Sequence, residues 1–331
     1  MQGEGTPPIL RPGLASLQVA AASLLGTAVE VVEPLRGGAR RDTYRVIDES
    51  GARSVLRLDR DAASLEKEVA LTLLVRDRVP VAAILGADLT GDLVGVPLTL
   101  SAYAEGESLD AALAGAGDDD ASALGEVVGR TLAATGAVEF DAPGLLGPAL
   151  RPQPFDEPLP GLLVAMGDRV LGETAARSAL GEPVADGYRA LLQEAAPALE
   201  AVADESALVH SDYNGKNLVL ARDPAGAPVV SAVLDWEFSY SGSPLADVGN
   251  MLRRQERMPP AFVDRFVDSF AEHGGGLPAG WRSIAGALDA LALLDFLDRG
   301  TRGEHGAGYT EACSLIEEAV ARGDLAPPSP A

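Results

Sequence analysis

The stretch "LVHSDYNGKNLVLARDPAGAPVVSAVLDW", residues 208–236, sets three Asp and two Asn around two short apolar runs. The runs "NLVL" and "APVVSAVL" are β-rich, and the "ARDPAG" between them carries turn residues. A β-hairpin is predicted, with Asp223 in its turn. In an antiparallel hairpin the start of the first strand lies beside the end of the second, which brings Asn217 near Asp235. Two hard oxygen ligands, so few in number, suit Mg²⁺, which keeps several waters and is completed by substrate phosphates. Asp212, on the loop just before the hairpin, can accept a proton from a hydroxyl nucleophile. Turn capping by Asp and Asn is the competing reading of the same residues.

Working outward, "LASLQVAAASLL" (14–25) has helical spacing. It is followed by the β-rich runs "VEVVEPL", "DTYRVID", "SVLRLDR" and "PLTLSAY". One helix interrupts them over residues 64–77, with Leu65, Val69, Leu73 and Leu74 as its apolar stripe. After "AEGESLD" (104–110) long helical segments take over, among them the Phe262, Phe266, Phe270 repeat that stops at a glycine run. Residues 142–186, Pro-rich and then weakly helical, carry no readable role.

Composition narrows the function classes. The chain has 331 residues with 49 Asp and Glu against 26 Lys and Arg, a formal net charge of −23. Such a surface repels nucleic acid and anionic membranes and attracts small cations. One cysteine and three His leave no disulfide and no zinc cluster. No apolar stretch is long enough to span a membrane, and "MQGEGTPPIL" lacks a secretion-signal layout, so a cytoplasmic location is expected. No protein partner is evident.

The spacing His210-x-Asp212-x-x-x-x-Asn217 with a downstream Asp235-Trp236-Glu237 follows the catalytic-loop and metal-Asp arrangement of protein kinases. Together, "LVHSDYNGKNLVL" and "VLDWEFSYSGSPLADVGNMLR" resemble the signature pair of the aminoglycoside phosphotransferase family, relatives of choline and homoserine kinases. The resemblance is strongest over residues 206–254 and continues more weakly over 29–110. It implies an α+β, two-lobed protein-kinase-like fold. Residues 14–103 would form a small β-rich ATP-binding N-lobe, and 104–325 a larger, mostly helical C-lobe for catalysis and substrate binding.

The same resemblance assigns site residues. Asp212 matches the catalytic Asp, and Asn217 and Asp235 match the Mg²⁺ ligands. His210 matches the brace of the catalytic loop, a general base being the other reading. Asp247 matches an Asp that ties the C-lobe together. In the N-lobe, Gly37 and Gly38 resemble the turn that covers the phosphates. Arg57 stands where a lysine commonly grips them, and arginine can grip phosphate in bidentate fashion. Glu68, with Glu66 as rival, would pair with Arg57, and backbone groups of Ala102 and Ala104 would bind adenine.

The expected activity is ATP-dependent phosphorylation of a hydroxyl on a small, cationic acceptor, with ATP and Mg²⁺ as cofactors and nucleotide and acceptor as the partners. About a dozen residues join Asp235 to Asp247, leaving little room for a regulated activation loop and favouring a small acceptor over a protein. An aminoglycoside-type antibiotic is the first choice. Asp295 and Asp298, sharing a helix face, are candidate ammonium ligands, while Asp289 points away from Asp298. Macrolide, choline, homoserine or sugar acceptors are the alternatives, as is a non-catalytic nucleotide-binding protein on the same fold.

Overall fold

The computed structural model describes residues 12–35, 42–304 and 306–328. By contacts the chain falls into two units, Met1–Val69 with Ala82–Tyr103, and Ala70–Val81 with Ala104–Ala331.

The first unit opens with α1 (Leu14–Leu25), which stops at Gly26, whose φ of 71° is the left-handed conformation that glycine adopts without strain. Next come β1 (Val29–Pro34), β2 (Asp42–Asp48), β3 (Arg53–Leu58), α2 (Ala62–Val75, of which Ala70–Val75 is counted with the second unit), β4 (Ile84–Asp88) and β5 (Leu98–Ala102). The strands form an antiparallel sheet in the order β1-β2-β3-β5-β4. Its inner face buries Val46, Leu56, Leu98 and Leu100 against Leu17, Ala20 and Ala21 of α1. β4 is invisible to a search for branched runs because "ILGAD" is short and holds Gly86, where an added Cβ would sit 3.0 Å from Leu24 of α1. The stripe expected on α2 is corrected. Leu65, Leu71 and Val75 are the fully buried positions, whereas Leu73 and Leu74 are 49% and 44% exposed. Two adjacent leucines lie about 100° apart on a helix, and the 3.6-residue period through Leu65, Leu71 and Val75 turns both outward.

The second unit contains β6 (Glu107–Ser108), α3 (Leu109–Leu113), α4 (Asp118–Gly136), β7 (Gly144–Leu146) and β8 (Pro152–Gln153). α5 (Leu159–Gly172), α6 (Thr174–Leu180), α7 (Glu182–Ala195), β9 (Ala207–Val209), β10 (Leu218–Arg222), β11 (Pro228–Val233) and β12 (Tyr240–Gly242) follow. α8 (Leu245–Leu252), α9 (Pro260–Glu272), α10 (Trp281–Thr301) and α11 (Ala307–Arg322) complete it. The segment 142–186 that carried no reading is thus a short hairpin, two helices and the start of α7. Phe262, Phe266 and Phe270 are buried, as core packing requires. α9 can approach α4 closely because Gly125 and Gly129 present bare backbone: a Cβ on Gly125 would lie 2.5 Å from the Phe262 carbonyl oxygen. Two small sheets, β11-β10-β6 and β8-β7-β12-β9, frame the loop that carries Asp212. No helix among the described residues is long and apolar enough to cross a membrane.

Candidate active site

β9 delivers the chain into the loop, and the first fixed point is His210. Its backbone N–H and that of Ser211 both donate to the carboxylate of Asp247, each at 2.7 Å. Asp247 sits in the first turn of α8, where the helix dipole favours negative charge. Ser211 takes φ 70°, and this left-handed step turns both amides toward one carboxylate. The His210 ring is fully engaged. Its Nδ1 accepts the Asp212 N–H at 3.2 Å, so the ring proton lies on Nε2, which donates to the Leu234 carbonyl at 2.9 Å. Trp236 packs edge-on against the ring at 4.6 Å between centroids. This histidine therefore holds the loop to the end of the hairpin and has no nitrogen left for a proton from an acceptor.

Asp247 is buried without a cationic partner among the described residues, and burial pushes its carboxyl up to about 7. Its two N–H bonds pull the other way, and the nearby Asp212 charge adds to the rise. Between pH 4 and 7 the native state then binds more protons at this residue than the unfolded chain does, so its contribution to stability falls as pH rises through that window. Asp247→Asn should remove that slope. In urea titrations at pH 4, 5.5 and 7, the stability of the parent relative to the variant should fall by at most about 1.4 kcal/mol per pH unit. Parallel pH dependence of the two proteins would contradict this.

The hairpin forms as read. β10 and β11 pair with Leu218 opposite Val233, and the Leu234 N–H donates to the Asn217 carbonyl at 2.8 Å. Asp235 follows immediately, with φ 65°. Asp223 occupies the turn, its carboxylate accepting the N–H groups of Ala225 and Ala227. Asn217 is buried, and its amide nitrogen donates to the Asp212 backbone oxygen at 2.9 Å and to Asp212 Oδ2 at 2.6 Å. Its amide oxygen takes no hydrogen bond among the described residues. Asn214, which the sequence reading passed over, donates to Asp212 Oδ1 at 2.6 Å and accepts the Lys216 N–H at 3.0 Å. Both oxygens of the half-buried Asp212 are thereby fixed, each with a lone pair to spare. Gly215 lies so close to Asp110 of α3 that a Cβ would collide with its carboxylate. The signal for Asn214 was its place in Asn-Gly, which reads first as a turn.

The donor set fits Mg²⁺ held by few protein oxygens. Among the described residues there is no group of three His, Cys, Asp or Glu able to cage a metal. Asn217 offers an amide oxygen that takes no hydrogen bond among the described residues, and its backbone carbonyl accepts the N–H of Leu234, the residue just before Asp235, so the two candidate ligands are brought near each other as the sparse oxygen set that phosphates would complete.

In the first unit, Arg57 on β3 pairs with Glu68 of α2 at 2.5 Å, and both are largely buried. Glu66 is exposed, so Glu68 is the partner. Gly37 and Gly38 lie outside the described residues. The Ala102 N–H donates to the Ala83 carbonyl at 2.8 Å. Ala104 begins the longer segment of the second unit.

The carboxylates of α10 differ from the expectation of exposed ammonium ligands. Asp298 has a side chain only 9% exposed and is paired with Arg169 at 3.0 Å and Arg302 at 2.9 Å. Asp295 pairs with Arg299 at 3.0 Å, and Asp289 with Arg253 at 2.6 Å. Arginines from α5, the end of α8 and α10 itself already neutralise this helix.

A hydroxyl-directed kinase of the two-lobed type is the class that these elements define. The APH model, described as the phosphotransferase enzyme family, matches residues 31–287. The chain belongs to that family. No curated protein matches it. Among solved structures, it resembles a thermostable mutant of aminoglycoside phosphotransferase APH(4)-Ia in ternary complex with ADP and hygromycin B. The identity is 18%, over 93% of this chain and 98% of that one, with a TM-score of 0.69. It also resembles the GDP and kanamycin complex of APH(2")-IIIa at 16% identity, over 93% and 98% of the two chains, with a TM-score of 0.68. The macrolide 2'-phosphotransferase MphH from Brachybacterium faecium shares 17% identity over 92% and 97%, with a TM-score of 0.63.

Proposed function

We propose that the chain is a cytoplasmic, ATP- and Mg²⁺-dependent kinase that phosphorylates a hydroxyl of a small cationic acceptor, with an aminoglycoside-type molecule as the first to test. The observation that carries this reading is the Asn217 amide bound to both the backbone and the carboxylate of Asp212, with its own oxygen left over. In this reading Asp212 orients the acceptor hydroxyl and takes its proton, held in position by Asn214 and Asn217. Asn217 and Asp235 would hold Mg²⁺, which when bound neutralises phosphate charge. Arg57, steadied by Glu68, meets the phosphates of the nucleotide. His210 and Asp247 hold the loop. Most of the rate enhancement then comes from position and fixed charge.

A second acceptor class, larger and less charged, is favoured by the ion pairing of all three α10 carboxylates, and the likeness to a macrolide phosphotransferase is consistent with it. An ADP-release screen across aminoglycosides, macrolides, amino alcohols, homoserine and sugars separates these classes. ATP turnover with none of them, at any Mg²⁺ concentration, would remove the kinase reading in favour of a nucleotide-binding protein. For Arg57, replacement by Ala should raise the ATP KM by about tenfold or more while the acceptor KM changes little, since the lost partner is a phosphate. Unchanged ATP kinetics would make Arg57 a structural arginine.

A further inference from the structure

A cavity of about 360 Å³ opens within the second unit, beside the end of β9 where that strand begins. β9 is three residues long, so this end lies roughly 10 Å before the loop of Asp212. Its volume falls in the range of small-molecule sites. One wall is an aromatic corner, Phe155 edge-on to Tyr240 with centroids 6.1 Å apart, backed by prolines and aliphatic side chains. Four carboxylates line it as well: Asp156 and Glu157 just before α5, and Asp204 and Glu205 just before β9. None of the four has an ion pair or side-chain hydrogen bond among the described residues, in contrast to the arginine-paired carboxylates of α10. Ser243, only 2% exposed, also lines the cavity. Its hydroxyl oxygen accepts the Leu245 N–H at 3.4 Å, but its proton has no acceptor among the described residues, and neither has that of the Tyr240 hydroxyl. A buried hydroxyl in this state is stabilised by an incoming oxygen.

We infer that this cavity binds a small organic ammonium with an apolar or aromatic body and a hydroxyl or ether oxygen. The body packs on Phe155 and Tyr240, the positive charge faces the four carboxylates, and the oxygen accepts from Ser243 or Tyr240. Apolar walls alone would take neutral molecules, and unpaired carboxylates alone would hold only solvated ions. Their combination selects a hydrophobic cation. The site uses no residue assigned to phosphoryl transfer, so it stands or falls independently of the kinase reading.

Three isosteric probes test it on the full chain by calorimetry and ligand-observed NMR: tyramine, neutral 4-ethylphenol and anionic 4-hydroxyphenylacetate. Tyramine should bind at least about fivefold more tightly than 4-ethylphenol, and 4-hydroxyphenylacetate should not bind. Tyramine affinity should weaken as NaCl rises from about 20 to 200 mM. Asp156→Asn with Asp204→Asn should bring tyramine down to the level of 4-ethylphenol while leaving ATP turnover unchanged, and Phe155→Ala should weaken both ligands. Equal binding of the three probes, binding that the double variant leaves intact, or capture of a lysine-containing peptide with tyramine excluded would each overturn the proposal.

Discussion

Asp212→Asn should retain nucleotide affinity while turnover falls by about 10²- to 10⁴-fold, the range for loss of a general base. The substitution is near-isosteric. Asn214 and Asn217 both donate to Asp212 through amide nitrogens, so an asparagine at 212 can satisfy only one of them with its oxygen and must turn its NH₂ toward the other. The loop is therefore disturbed locally, although His210 and Asp247 still anchor it from below. Nucleotide binding, measured by fluorescence titration with ATP and Mg²⁺, separates this local effect from a collapsed site. A variant that turns over an identified acceptor at the parental rate would remove Asp212 from the chemistry.

Asp235→Ala should abolish the Mg²⁺ dependence of nucleotide binding. Loss of groups that merely support a metal ligand costs about 10- to 100-fold in affinity, so removal of one of two protein ligands should cost on the order of 10²-fold or more. The residue follows the last paired position of the hairpin and takes a left-handed backbone turn, a conformation that alanine adopts less readily than aspartate. Asp235→Asn is accordingly the companion variant, keeping that preference and losing the charge. If both variants bind ATP with the parental Mg²⁺ dependence, the metal is held elsewhere.

What the sequence made legible was local. The hairpin could be read because its strands, turn and register lie within one short stretch, and Leu218 does face Val233. The alternation from strands to long helices was equally plain. Less was legible where distant residues decide the environment. Asp298 looked like an exposed carboxylate because its helix gives no sign of Arg169, which arrives from α5. Leu73 and Leu74 joined the wrong face of α2 because adjacent leucines leave the phase of a 3.6-residue period ambiguous. Asn214 was hidden by the ordinary look of Asn-Gly.

The clamp of Asp247 on the His210 and Ser211 amides also imposes an order of assembly. On the ribosome, the stretch that carries Asp212 emerges well before the carboxylate that shapes it, and α8 must be made before both amides find their acceptor. Gly249, two residues further along, leaves α8 room to dock on α10, so the clamp is backed by a helix made later still. A nascent chain halted between Asp235 and Asp247 would contain the hairpin and both proposed metal ligands, yet its loop would lack the acceptor that orders it. Competence is thus acquired late in synthesis, and premature termination yields an inert fragment instead of a partly active one.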